Sequence, residues 1–100
     1  MTYTKQSSTD KAAVFKQITE QMAKTYEAKN HDYGNSFGNS MNEFGLVAAV
    51  VRLNDKMERI KSYAKMPPEQ MKVKDESIQD TLLDLANYAV MTLVEMTASS

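Results

Sequence analysis

Residues 75–96 read DESIQDTLLDLANYAVMTLVEM, and this stretch decides the fold. Ile78, Leu82, Leu85, Ala89, Leu93 and Met96 recur at three- and four-residue intervals. That spacing predicts one long amphipathic helix with these six residues as its core stripe. Asp75 is placed to cap its first turn. Leu83, Val90, Met91 and Val94 lie on or beside the opposite, acidic side. The C-terminal half is therefore apolar nearly all round, which predicts a helix buried on more than one face.

Upstream, MPPEQMKVK (66–74) interrupts the pattern, because Pro67 and Pro68 cannot continue a helix and bias Met66 away from helical geometry. A second helix is expected from an Asn42 cap to about Ala64, with Leu46, Val50, Leu53, Met57 and Ile60 along one side and Val47 and Val51 flanking them. A first helix, capped by Ser8 or Thr9, is expected to run to about Lys29 on Phe15, Ile18, Met22 and Tyr26. Between the first two lies a polar segment, KNHDYGNSFGNS (29–40). No alternating strand pattern competes. The expected fold is all-α, with three main helices in one domain over residues 8–97 and a loose N-terminus over residues 1–7. The extra apolar surface on the second and third helices predicts a homodimer or higher even-numbered oligomer with those helices at the interface.

One hundred residues suit a single domain, and 42% hydrophobic residues without Trp predict a modest core of Met, Leu, Val and Ala. The chain has no Cys, which excludes disulfides, a thiol nucleophile and Cys-ligated zinc and fits a reducing compartment. A formal charge of −1 leaves no global electrostatic footprint for nucleic acid. The absence of a long apolar run, and an N-terminus MTYTKQSSTD without a signal-peptide core, predict a cytoplasmic protein that does not span a membrane.

Two charged stripes carry the chemistry. On the third helix Glu76, Asp80, Asp84 and Asn87 share an arc of roughly 80° at about 100° per residue. Like charges one turn apart disfavour a helix unless a cation sits among them, and Mg²⁺, a hard ion bound by oxygen, is the natural candidate. A solvated acidic face is the plainer reading. On the second helix Arg52, Lys56 and Arg59, followed by Tyr63, form a basic edge able to grip phosphates. Its plainer reading is internal pairing with Asp55, Glu58 and the acids of the third helix. Both readings require the two stripes to face each other.

The segment 29–40 is long for a helix joint, and long loops in compact domains tend to be functional. Asp32 and His31 are polar candidates there, and Asn35 offers an amide suited to base or sugar contacts. Tyr33 and Phe37 could stack on a base. The alternative is a connector whose aromatics cover the open end of a small core.

Taken together, KNHDYGNSF (29–37), VRLNDKMERI (51–60) and ESIQDTLLDLANYAV (76–90) resemble the nucleotide-modification-associated domain family of phages and prophages. Its members are similar to short relatives of the MazG-type all-α nucleoside triphosphate pyrophosphohydrolases. The resemblance implies a MazG-like bundle completed by oligomerisation and a Mg²⁺ site that cleaves a nucleotide between its α and β phosphates. The later acidic motif of MazG-like proteins falls on Asp84 and Asn87, and the earlier one on Asp55 and Glu58. Two functions follow. In the first, a pyrophosphohydrolase, Glu76, Asp80, Asp84 and Asn87 hold Mg²⁺, and Asp55 and Glu76 are the catalytic candidates. Arg52, Lys56 and Arg59 then hold phosphates, with Asp32, Tyr33, Asn35 and Phe37 towards base and sugar. In the second, the chain binds a nucleotide without turnover, as a phage-encoded sponge for a signalling nucleotide in the host cytoplasm.

Overall fold

The computed structural model describes residues 10–33 and 35–98, and of residues 32, 33, 68 and 71–74 it describes the backbone only. The expected caps Ser8 and Thr9, and the expected loose segment 1–7, lie outside these residues. The described chain is helical, with α1 Lys11–Tyr33, α2 Ser36–Phe44, α3 Val47–Ala64, a 3₁₀ turn Pro68–Gln70 and α4 Met71–Ala98. It divides into two compact units, residues 1–34 and 35–100.

The first unit is α1. Asp10 caps it, its carboxylate accepting the Ala13 backbone N–H at 3.1 Å while its carbonyl accepts that of Val14. The helix runs four residues past the expected end at Lys29, so His31 stands in its last turn rather than in a loop. Ile18, Met22 and Tyr26 are half-buried and Phe15 is exposed.

The second unit holds α2, α3 and α4. Helix α2 occupies what the glycine- and asparagine-rich composition read as loop. Its residues are weak helix formers, and tertiary contact overrides that propensity. Phe37, Met41 and Phe44, at i, i+4 and i+7, were the signal for it. Asn42 therefore lies inside α2 and caps nothing; α3 starts instead after Gly45, whose φ of +74° closes α2. The Gly45 N–H donates to the Met41 carbonyl at 2.7 Å.

Helices α3 and α4 pack extensively on each other across a connection of a few residues, which requires them to run antiparallel. The faces that meet overlap the expected stripes only in part: Ile78 and Leu85 on α4, and Leu53 and Ile60 on α3, are half-buried, and the other stripe residues are exposed. On α4 the buried residues are Thr81 and Thr92, whose hydroxyls donate to the carbonyls of Ser77 and Tyr88 and so bring no unpaired polar group inside. Leu82, Leu93 and Met96, expected in the core, are 47, 62 and 55% exposed, and Ala89 is exposed with them. The helix is turned about a quarter turn from its bulky stripe, roughly 80° at about 100° per residue. Helix α3 does the same: Ala49 is fully buried, while Leu46, Val50 and Met57 from the expected stripe are exposed. Small residues at a crossing let two helices come nearer than facing leucines would, and the three described residues of α3 and α4 that are buried, Ala49, Thr81 and Thr92, are all small. Val47, Val51, Val90 and Val94 are exposed too. Ala49 is the one buried hydrophobic residue among those described.

Candidate functional site

Turning α3 and α4 away from their bulky stripes brings their charged edges together. Lys56 Nζ lies 3.1 Å from Asp84 Oδ2 and donates a hydrogen bond to it. The Lys56 side chain is only 15% exposed and that of Asp84 43%. This pair joins the basic and acidic stripes across a seam between the two helices. Antiparallel packing fixes what lies to either side of it. One turn along, Arg52 of α3 falls level with Tyr88 of α4; towards the hairpin connection, Arg59 falls level with Asp80.

Arg52 is exposed and makes no ion pair among the described residues. Arg59 meets Asp55 only at 4.0 Å, with both side chains more than half exposed, so the guanidinium is weakly held. Lys61 and Glu58 form a second exposed pair on α3, at 3.3 Å. These contacts realise part of the internal-pairing reading: Lys56 pairs across the seam and Arg59 pairs along its own helix, while Arg52 has no ion pair among the described residues.

At the end of the seam nearest α2, the Phe37 and Tyr88 rings pack with centroids 5.5 Å apart at 54°. Gly38, next to Phe37, is buried, and a Cβ there would overlap the carboxamide of Asn35 folded back over it. Asn35 makes no capping bond with that carboxamide.

A sequence profile of the family described as nucleotide modification associated domain 1 matches residues 29–96. The chain belongs to this family. No curated protein and no solved structure matches it. The family's matched region takes in α2, α3 and α4 as far as Met96, so the whole seam lies inside it.

The residues read from the sequence fall into four groups. Lys56 and Asp84 meet directly, with Arg52, Arg59, Asp80 and Asn87 on the two lips of the seam. Asn87 is half-buried, whereas Asp80 and Glu76 are exposed. Asp55 points its carboxylate along the outside of α3 towards Arg59, away from the buried Ala49–Lys56 side. Asn35 and Phe37 sit on α2 in the same unit as the seam. The side chains of Asp32 and Tyr33 lie outside the described residues. Tyr88 was not among the candidates. Its position four residues after Asp84, on the same side of α4, was the signal that could have found it.

A Mg²⁺ ion needs several oxygen ligands converging on one point. Among the described residues no three His, Cys, Asp or Glu side chains come close enough to hold a metal. Glu76, Asp80 and Asp84 are strung along a single helix at about 6 Å per four residues, and Asp84 is already neutralised by Lys56. Among the described residues, then, no set of side chains in one chain converges on the ion, and a metal site built on Asp84 would need further ligands.

Proposed function

We propose that the chain binds a nucleotide by its phosphates along the α3–α4 seam. The observation that carries this is the half-buried Lys56–Asp84 pair flanked by Arg52 and Arg59. Phosphate oxygens are better acceptors for Lys and Arg than one partly exposed carboxylate, because several charge-assisted hydrogen bonds form at once. Arg52 and the loosely held Arg59 reach a ligand at little cost, and Lys56 joins them by exchanging Asp84 for phosphate. Membership of a nucleotide-modification-associated family supports a nucleotide as the phosphate carrier.

Pyrophosphohydrolysis with Mg²⁺ is the second reading. Asp80, Asp84 and Asn87 share the seam edge of α4, which favours it. It requires a MazG-like assembly in which another copy of the chain supplies the missing oxygen ligands, and the exposed apolar faces of α3 and α4 support such an assembly. Bound there, Mg²⁺ would supply Lewis-acid chemistry at a phosphate oxygen. One experiment separates the readings. Nucleoside triphosphates and cyclic dinucleotides are incubated with the protein and Mg²⁺, then resolved by chromatography with and without prior denaturation. Intact nucleotide released on denaturation supports sequestration. A monophosphate with pyrophosphate supports hydrolysis. Neither retention nor products would overturn both readings.

A further inference from the structure

The aromatic pair gives the seam a direction. Tyr88 stands one turn beyond Asp84 on the same side of α4, and Phe37 of α2 rests against it. From the hairpin connection outward the seam therefore presents Arg59 level with Asp80, then Lys56 with Asp84, then the Tyr88–Phe37 rings with Arg52 at their level. Cations run from Arg59 to Arg52, and flat aromatic surface flanks them at the Arg52 end. A nucleotide has the same asymmetry, with anionic phosphates at one end and a planar base at the other.

We infer that Phe37 and Tyr88 form the base-side wall of the site, so that a nucleotide lies with its base at the α2 end and its phosphates running towards Lys56 and Arg59. The inference rests on the reading that the seam holds phosphates, and it adds the orientation of the ligand and a specificity residue, Tyr88. Both rings are half-buried, so each is fixed by its neighbours and still offers surface. At a centroid separation of 5.5 Å they touch, leaving no room for a base between them. The base stacks instead on an outer ring face, against a wall that the other ring holds rigid. Stacking on aromatic side chains tolerates any base, because every base has a π-face. The wall therefore recognises a nucleobase as a class, and edge contacts choose among bases. Tyr63, at the opposite end of the seam, is half-buried but has no ring partner among the described residues. It makes the alternative base end and serves as the comparison.

Calorimetry with inorganic tripolyphosphate and with the four ribonucleoside triphosphates, each with and without Mg²⁺, tests this. The wild type is expected to bind nucleotides more tightly than tripolyphosphate. Tyr88→Leu and Phe37→Leu should each raise the nucleotide Kd about tenfold, within the range for losing one stacked base, and leave tripolyphosphate within about twofold. Tyr88→Phe keeps the ring and should stay within about twofold for both. Equal losses for both ligands in the leucine variants would show a purely structural role and overturn the inference. A base-dependent loss in Tyr63→Leu with none in Tyr88→Leu would also overturn it, by reversing the ligand. Wild-type protein that binds tripolyphosphate as well as any nucleotide overturns this inference and leaves the phosphate reading standing. Binding of neither overturns both.

Discussion

Lys56 and Asp84 neutralise each other across the α3–α4 seam at 3.1 Å, the lysine mostly enclosed and the aspartate nearly half open. The sequence places these two residues on opposing stripes, one suited to phosphate and the other to a cation. In the folded unit each stands where the other's ligand would. On the phosphate reading, an anion drawn to Lys56 would compete with Asp84 for the ammonium, which would tie its binding to the state of the acidic edge.

Asp84→Asn tests that tie. The amide removes the competing charge while keeping shape, so Lys56 turns to an added anion, and tripolyphosphate should bind several-fold more tightly in the absence of metal. Calorimetry in EDTA reads this directly. The same pairing sets the stability of Asp84→Ala. On the acidic stripe alone, its removal would relieve repulsion. With Lys56 as its partner, removal should cost about 1 kcal/mol or less, the range for a pair open to solvent on one side. A chemical-denaturation midpoint above that of the wild type would show that repulsion along α4 dominates instead.

Arg52→Ala and Arg59→Ala should each weaken nucleotide binding by about 1.5–3 kcal/mol, the range for hydrogen bonds to charged groups. Folding stability should hardly move, since Arg52 has no ion pair among the described residues and the Arg59–Asp55 contact is long and exposed. Titration of both variants at low salt checks the first statement and thermal unfolding the second. Nucleotide affinity equal to wild type in both would show that the basic edge serves only to balance α4.

The periodicity of residues 75–96 was enough to give α4 and the helical class, because 3.6-residue spacing survives any packing arrangement. Which side of the helix faces its neighbour was legible only in part. Ile78 and Leu85 of the expected stripe are half-buried, but Leu82, Leu93 and Met96 are exposed and the most buried of the described α4 residues are Thr81 and Thr92, whose hydroxyls are satisfied within their own helix. A hydropathy stripe ranks faces by apolar content and is blind to how closely two backbones can approach. Helix α2 was hidden for a related reason. Ser36, Gly38, Asn39 and Ser40 disfavour a helix locally, and the contact of Phe37 with Tyr88 that offsets this is separated by about half the chain. The charged stripes were legible as sets, since helical spacing alone groups them. Their direct meeting at Lys56 and Asp84 depended on the rotation of both helices.

Gly45 closes α2 at φ +74°, and nothing lies within 4 Å of where a Cβ would stand. Gly45→Ala therefore meets no steric neighbour, and its cost is conformational, about 1–3 kcal/mol, because φ +74° with ψ −161° is a backbone region essentially confined to glycine. Gly38→Ala differs in kind, because its Cβ would displace the Asn35 carboxamide beside Phe37. Gly38→Ala should impair nucleotide binding with little loss of stability, because the displaced carboxamide is the exposed end of a flexible side chain and alanine suits a helix interior better than glycine, whereas Gly45→Ala should lower stability and leave affinity unchanged at temperatures where the protein is folded. Unfolding curves and titrations run on the same two proteins check the contrast.

The apolar residues left outside by the rotation of α3 and α4 bear on assembly. Val47, Val50 and Val51 on α3 are 64, 53 and 60% exposed, and Leu82, Val90 and Leu93 on α4 are 47, 49 and 62% exposed. Fully burying one such side chain contributes about 1.5–3 kcal/mol, so covering these six half-open residues would contribute several kcal/mol. That is comparable with the whole stability of a small domain, and within the described chain Ala49 alone is a buried hydrophobic residue. Self-association through these faces would supply the missing core, and symmetric homo-oligomers are the commonest such solution. The expected species is a dimer or higher even-numbered oligomer at micromolar concentration. Leu93→Asp, which places a charge at the centre of the α4 face and away from Lys56 and Asp84, should shift it towards monomer and lower its unfolding temperature in a concentration-dependent way. Sedimentation velocity over a hundredfold range of concentration measures both forms. A wild-type mass fixed at one chain across that range would refute the assembly, and with it the reading in which a second copy completes a metal site.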